Sequence, residues 1–177
     1  MMTPPMYSSD NEDDATFDSA FFANVTQDRL TKPVEEWCTC EKCKVMGTGR
    51  ESVCCNESLT LQRHRGTLKC VTDGDMFNSM VLSEEGLRYS RYLYSLTIDD
   101  AEKRERYLKA ELTPKKWRFL AYKSFTNLIS SQDFNMKVRY ILPSCVVSAV
   151  REKFPNTDGS TYRGFICLGT DDGHTLP

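Results

Sequence analysis

Cysteine is the residue type in this 177-residue chain whose number and spacing point most directly to chemistry. Six cysteines lie close together and two follow far downstream: Cys38, Cys40, Cys43, Cys54, Cys55 and Cys70, then Cys145 and Cys167. Adjacent and closely clustered thiols are poorly suited to disulfides, whose geometry requires separated α-carbons and facing side chains. A metal ion gathers several crowded thiolates, so zinc binding is favoured over a disulfide framework or free buried cysteines.

The number of zinc ions follows from coordination arithmetic. Two tetrahedral ions have eight coordination positions, which seven thiolates fill when one of them bridges both metals. Leaving Cys167 out of the eight cysteines gives seven. His64 is an alternative nitrogen ligand, although its neighbours Arg63 and Arg65 indicate an exposed basic stretch. Positions filled entirely by cysteine leave none open for water, so such zinc would be structural and not catalytic.

The charge of such a cluster requires compensation. Two Zn²⁺ and seven thiolates sum to −3, which is costly to bury alone. Several basic residues lie between the candidate ligands: Lys42, Lys44, Arg50, Arg63, Arg65 and Lys69. They form either a cationic screen around the cluster or a solubilising loop surface. The spacing does not fit a zinc finger of the Cys-x2-4-Cys and His-x3-5-His type.

The elements that must position these cysteines are mainly helical. Residues 37–75 show no sustained period, so their order is expected to come from crosslinks. The apolar pattern then predicts a helix over 83–96. Asp99 and Glu102 resemble a capping box that opens a polar stretch to Leu112. Thr113 and Pro114 provide an N-cap and an N1 proline for a further amphipathic helix.

The C-terminal part is expected to add a strand and a last helix. Val138 to Leu142 reads as a short strand, and Pro143-Ser144 caps a helix that extends to about Phe154. We therefore expect an α+β fold that is mainly helical. In it, a zinc-stapled, loop-rich cysteine segment packs on the C-terminal helices, with a short strand pair.

Composition and charge define the expected domain organisation. The net charge is −2 and 27% of residues are charged, which argues against a protein that coats nucleic acid. Residues 1–30 carry six acids against one base, Arg29, so residues 1–33 are predicted to be a disordered acidic tail. Residues 34–167 form the predicted zinc-binding domain and residues 168–177 a flexible tail. No secretory signal or membrane span is evident, which predicts a cytoplasmic chain.

Two specific motifs resemble a known family. The first runs Trp37-Cys38-x-Cys40-x2-Cys43, then Cys54-Cys55, then Cys70. The second runs Leu142-Pro143-Ser144-Cys145-x5-Arg151-x2-Phe154-Pro155-x3-Gly159-x2-Tyr162-x-Gly164-Phe165. Together they resemble the cytoplasmic C-terminal ballast domain of the subtype-seven P2X purinoceptor, over about residues 35–165. Without membrane spans, the chain looks like a stand-alone homologue of that domain and not a channel.

The resemblance implies a dinuclear zinc-cysteine cluster with seven ligands. These are Cys38, Cys40, Cys43, Cys54, Cys55, Cys70 and Cys145. Cys145 would tie the C-terminal helix to the N-terminal cysteines, whereas Cys167 lies outside the motif and is expected to be a small buried hydrophobe.

The resemblance also implies a guanine-nucleotide site. The residues that match or could compensate are Arg118, Tyr122, Tyr140 and Leu142, with Arg151 and Arg163 as replacement cations. Phe119, Val147 and Asn156 depart from the family pattern at positions that carry a histidine or a basic residue. Phosphate affinity depends on charge-assisted contacts, so the lost cations weaken this expectation.

The expected function is a non-enzymatic zinc-binding module whose candidate ligands are a guanine nucleotide or a protein partner. No P-loop occurs, so nucleotide hydrolysis is not supported. The alternative is a zinc-dependent nucleic-acid-binding protein. Its candidate contacts are the Arg63-His64-Arg65 stretch, Lys115, Lys116, Arg118 and Lys123, with Trp117 available for base stacking.

Overall fold

The computed structural model describes residues 27–129, 141–157 and Tyr162. Its regular elements are helices: α1 Leu59–Arg65, α2 Asp75–Phe77, a π-helix Asn78–Leu82 that continues α2, α3 Glu84–Ser95, α4 Ala101–Lys109, α5 Pro114–Ile129 and α6 Ser144–Lys153. Short 3-10 turns complete the N-terminal half: Gln27–Leu30, Val34–Glu36, Gly49–Glu51, Cys55–Glu57 and Val71–Asp73. None of the described helices combines the length and apolar composition needed to cross a membrane.

The expected α+β class with a short strand pair is wrong. No strand occurs within the described ranges, and Ile141 and Leu142 have no regular secondary structure. Residues 138–140 of the predicted strand lie outside those ranges. Leu142 packs against the core. The Ser144 amide donates to the Val53 carbonyl at 2.9 Å. The apolar character of Leu142 is therefore explained by its packing against the core, since a short apolar run does not by itself distinguish a strand.

The helices predicted over 83–96 and from Pro114 are confirmed, and their N-caps show why they begin there. The Ser83 hydroxyl accepts from the Gly86 amide at 3.0 Å at the start of α3. The Thr113 hydroxyl accepts from the Lys116 amide at 3.4 Å at the start of α5. These side chains satisfy amides that have no partner within the helix.

Two helix starts in the remaining sequence differ from expectation. The cap of α4 is Asp100, whose carboxylate accepts from the Lys103 amide at 3.0 Å, and not Asp99. Helix α1 was not predicted, because its seven residues are too few to show a period. It begins after Ser58, whose hydroxyl accepts from the Leu61 amide. It ends before Gly66, whose φ of +56° is a backbone conformation that glycine adopts readily.

The core lies where α2, the π-helix, α3, α5 and α6 meet. Its largest fully buried side chains include Phe77, Leu87 and Phe125. The Phe77 and Phe125 rings meet edge to face with centroids 5.8 Å apart. The same apolar cluster contains all seven described cysteines, so the core and the cysteine segment are one packed unit.

Gly86 provides a test of this packing. A Cβ built on Gly86 would lie 2.0 Å from the Ser79 carbonyl oxygen and 3.0 Å from the Ser79 carbonyl carbon. Because both are backbone atoms, Gly86→Ala must push α3 away from the π-helix. We expect it to destabilise the fold by about 1–3 kcal/mol despite the better helix propensity of alanine. The measurement is urea unfolding of zinc-loaded protein.

Gly74→Ala is the matched control for that measurement. A Cβ on Gly74 would meet its nearest neighbours at 3.5 Å and 3.6 Å, which is ordinary contact. Its effect should stay within about 0.5 kcal/mol. Equal unfolding midpoints for the two variants would show that Gly86 of α3 is not held against the Ser79 carbonyl of the π-helix.

The predicted tails fall mostly outside the described residues, which exclude 1–26 and 163–177. The described structure begins at Gln27, inside the segment predicted as tail. There Arg29 forms a two-pronged ion pair with Glu57, with N···O distances of 2.9 Å and 2.6 Å. Its guanidinium also lies 5.5 Å from the Trp37 ring centroid.

Candidate metal centre

The fold gathers seven cysteine sulfurs into two groups that share one residue. The first group is Cys38, Cys40, Cys43 and Cys54, and the second is Cys40, Cys55, Cys70 and Cys145. Within each group all Sγ atoms lie within 4.8 Å of one another. All seven residues are buried. Four sulfurs per group, with Cys40 in both, is the arrangement that two tetrahedral ions with one bridging thiolate require.

The sulfur separations fit this chemistry. The Sγ atom of Cys40 lies 3.7 Å from that of Cys38 and 3.6 Å from that of Cys43. The Sγ atoms of Cys55 and Cys70 are 3.8 Å apart. A tetrahedron with zinc–sulfur bonds of about 2.3 Å has sulfur–sulfur edges of about 3.8 Å. A disulfide bond measures about 2.05 Å, so these sulfurs are not bonded to one another. The donor set therefore fits two zinc ions.

Local backbone geometry decides which group each of the neighbouring cysteines joins. Glu41, between Cys40 and Cys43, has φ of +62°, a left-handed conformation that is uncommon for a residue other than glycine. It lets the chain reverse within three residues, so that Cys40 and Cys43 reach the same group. Cys54 precedes the 3-10 turn Cys55–Glu57, and the adjacent Cys54 and Cys55 side chains join different groups.

Two carboxylates orient the backbone of this centre in the same way. Glu57 accepts from the Cys54 amide at 2.7 Å, and Asp73 accepts from the Cys70 amide at 3.0 Å. Each belongs to a capping box in which cysteine occupies the N-cap. We did not single out either carboxylate from the sequence. The sequence feature that could have indicated them is an acidic residue three positions after a cysteine, which is the spacing of a capping box.

Cys145 brings α6 to the centre. It occupies the first turn of α6. Ser144 fastens this turn to the cysteine segment, because its hydroxyl accepts from the Lys44 amide at 2.8 Å and donates to the Lys44 carbonyl. The Ser144 amide donates to Val53. The resemblance placed Cys145 beside the other ligands, and the fold does bring it there.

Hydrogen bonding among the sulfurs divides the thiols into two kinds. Hydrogen bonds from Cys40, Cys43 and Cys55 hold the pKa of Cys54 well below its usual range. Those from Cys145 lower the pKa of Cys70 and bring that of Cys40 to about 7. As the donor in these bonds, Cys145 has a raised pKa. The pKa is thus lowered for three of the seven described thiols, toward the thiolate form that binds metal, and raised for the other four.

The three lysines between the cysteines are paired with carboxylates at the surface. Lys42 pairs with Asp73, Lys44 with Glu152 and Lys69 with Glu41. Arg65 donates to the Leu68 carbonyl. His64 is in neither sulfur group, and its Nε2 lies 3.0 Å from the Ile129 carbonyl oxygen. Cys167 lies outside the described residues.

The residues expected at the nucleotide site are only partly brought together. Arg118 and Arg151 face the same ring, with guanidinium carbons 5.0 Å and 4.5 Å from the Tyr162 centroid. Tyr122 is hydrogen-bonded to Arg151, and burial raises the pKa of Tyr122. Leu142 packs separately against the core. Tyr140 and Arg163 lie outside the described residues.

The surface suggested for nucleic-acid binding is largely occupied by internal contacts. Trp117 is 8% exposed and stacks on Phe154 with centroids 5.7 Å apart, so it is not available to a base. Arg118 is equally buried and donates to the Phe154 carbonyl at 2.7 Å. Lys116 donates to the Glu111 carbonyl at 2.9 Å. This geometry gives the nucleic-acid alternative little support.

Comparison with known proteins adds an independent observation. Residues 3–166 match the family described as the P2X purinoreceptor 7 intracellular domain. The P2X purinoceptor 7 of Rattus norvegicus is 33% identical over 137 residues, covering 73% of this chain and 20% of that relative. The chain thus spans about a fifth of the length of this curated relative. No solved structure matches the chain. The matched range contains both cysteine motifs and all the described helices, and the chain belongs to the P2X purinoreceptor 7 intracellular domain family.

Proposed function

We propose that this chain is a non-enzymatic module that holds two structural zinc ions. One observation carries the proposal: seven buried sulfurs form two tetrads that share Cys40. Each tetrad provides four cysteine ligands, so neither ion would have an open position for water or substrate. When bound, zinc would crosslink the loop-rich N-terminal half to α6.

Native mass spectrometry of protein purified without chelator tests this proposal. We expect two zinc ions per chain, because eight coordination positions match the two tetrads. Cobalt substitution should give the visible absorption of tetrahedral thiolate sites. One metal or none after purification would contradict the dinuclear assignment.

The family assignment supports a cytoplasmic location, and we include a protein partner in the proposal. The family is described as an intracellular domain. Since the chain spans a small part of the rat relative, we do not transfer the activity of the whole receptor to it.

A guanine nucleotide is the second candidate ligand. The supporting observation is the convergence of Arg118, Tyr122 and Arg151 around Tyr162. Among the described residues, the Nε atom of Arg151 is buried without a hydrogen-bond partner. A phosphate oxygen would give this donor a charge-assisted bond.

Calorimetric titration of zinc-loaded protein with GDP tests the second candidate. Arg151→Met should weaken GDP binding about ten-fold or more, since a bond to a charged group is lost. Arg104→Met is the matched control, because Arg104 bonds the Ile98 carbonyl elsewhere. Undetectable binding of GDP, or equal binding by both variants, would remove the nucleotide from the proposal.

A further inference from the structure

A cavity of about 220 Å³ lies between α3 and α5, apart from the sulfur groups and the Arg118 cluster. It is lined by one turn of α3, two turns of α5 and one residue of the π-helix. These residues are Ser90, Leu93, Tyr94, Leu120, Lys123, Ser124, Asn127, Leu128 and Met80. Apolar walls with a few polar groups are characteristic of small-molecule sites.

The two serines in this cavity are engaged in helix packing. The Ser124 hydroxyl donates to the Met80 carbonyl at 2.8 Å. Its oxygen lies 3.2 Å from the Ser90 hydroxyl, which therefore donates to Ser124. These bonds explain why α3 and α5 approach at this point. With both serines engaged, Lys123 is the charged side chain of the wall.

Lys123 lacks an anionic partner in the described part of the chain. Its Nζ lies 3.0 Å from the centroid of the Tyr94 ring. The described ion pairs do not include it. Burial lowers the pKa of Lys123, as expected for an ammonium whose solvation is reduced without compensation by a carboxylate. A cation in this state gains from an anion placed beside it.

We propose that this cavity binds a small carboxylate with an apolar body. The carboxylate would pair with Lys123, and the apolar body would pack against Leu93, Leu120 and Leu128. A cavity of roughly 150 Å³ holds benzene, so this larger space suits a slightly larger apolar body. A neutral ligand would leave the ammonium unpaired, and a cationic one would be repelled by it.

The test compares three probes that share an eight-carbon tail: octanoate, octan-1-ol and octylamine. Each is titrated into the zinc-loaded 177-residue chain and followed by calorimetry and by backbone amide NMR. Octanoate should bind at least about ten-fold more tightly than octan-1-ol, because its carboxylate accepts a charged hydrogen bond from Lys123. Octylamine should bind more weakly than either, and the shifted amides should lie in α3 and α5.

Lys123→Met isolates the charge, because it keeps an unbranched apolar stem of similar length. It should reduce octanoate affinity to the octan-1-ol level and leave octan-1-ol affinity unchanged. Lys115→Met, on an exposed position of the same helix, should change neither. Equal affinity of the wild type for octanoate and octan-1-ol overturns the proposal without any variant. So does octanoate binding that is undetectable or that survives Lys123→Met.

Discussion

Cys40→Ala is expected to remove zinc from both tetrads and to abolish the cooperative thermal transition. Cys40 is the one cysteine common to the two sulfur groups, so its loss leaves three ligands in each. Structural zinc contributes roughly 10–16 kcal/mol in small peptides, and a domain is stable by only about 5–15 kcal/mol. The free energy lost with both ions therefore exceeds the free energy of unfolding of the domain. Native mass spectrometry and circular dichroism melting are the measurements.

Cys38→Ala is the control for this result, since Cys38 belongs to the first tetrad alone. It should lower the zinc content by one ion and retain a melting transition at reduced temperature. If Cys40→Ala and Cys38→Ala lose the same amount of zinc, Cys40 is not a bridging ligand.

Cys145→Ala is expected to release the zinc of the second tetrad and to lower the melting temperature by about 10 °C or more. For a domain of this size, each kcal/mol shifts the melting temperature by about 2–4 °C. Cys145 is the described cysteine that lies on α6, so its loss disconnects this helix from the metal centre. Val147→Ala, at a half-buried position of the same helix, should have a much smaller effect.

A chelator separates the metal contribution of Cys145 from its packing. Cys145 is 2% exposed, so truncation also removes buried apolar contact. In excess chelator, wild type and Cys145→Ala should both lose the cooperative transition, because both tetrads are then without zinc. A gap that is as large with chelator as without it would show that Cys145 stabilises the fold by packing alone.

Local signals made several helices predictable. Both α3 and α5 begin at a capping residue that is recognisable from its immediate neighbours, Ser83 for α3 and Thr113, followed by Pro114, for α5. In each helix a periodic apolar pattern follows for three turns or more. Helix α1 is too short for such a period. The strand prediction over Val138–Leu142 fails at its two described residues, Ile141 and Leu142, because short apolar segments have no distinguishing period. Leu142 packs against the core, and the following Ser144 amide bonds to Val53.

Residue type and crowding are enough to disfavour disulfides and to predict a thiolate cluster at the candidate centre. The count of seven sulfurs also predicts two ions, with one thiolate bridging them. The folded chain is needed to show that Cys40 lies in both sulfur groups, that Cys54 and Cys55 diverge, and that Cys145 joins Cys55 and Cys70. The reason is that sulfur positions depend on backbone turns such as Glu41 and on the docking of α6 through Ser144, which no local pattern encodes.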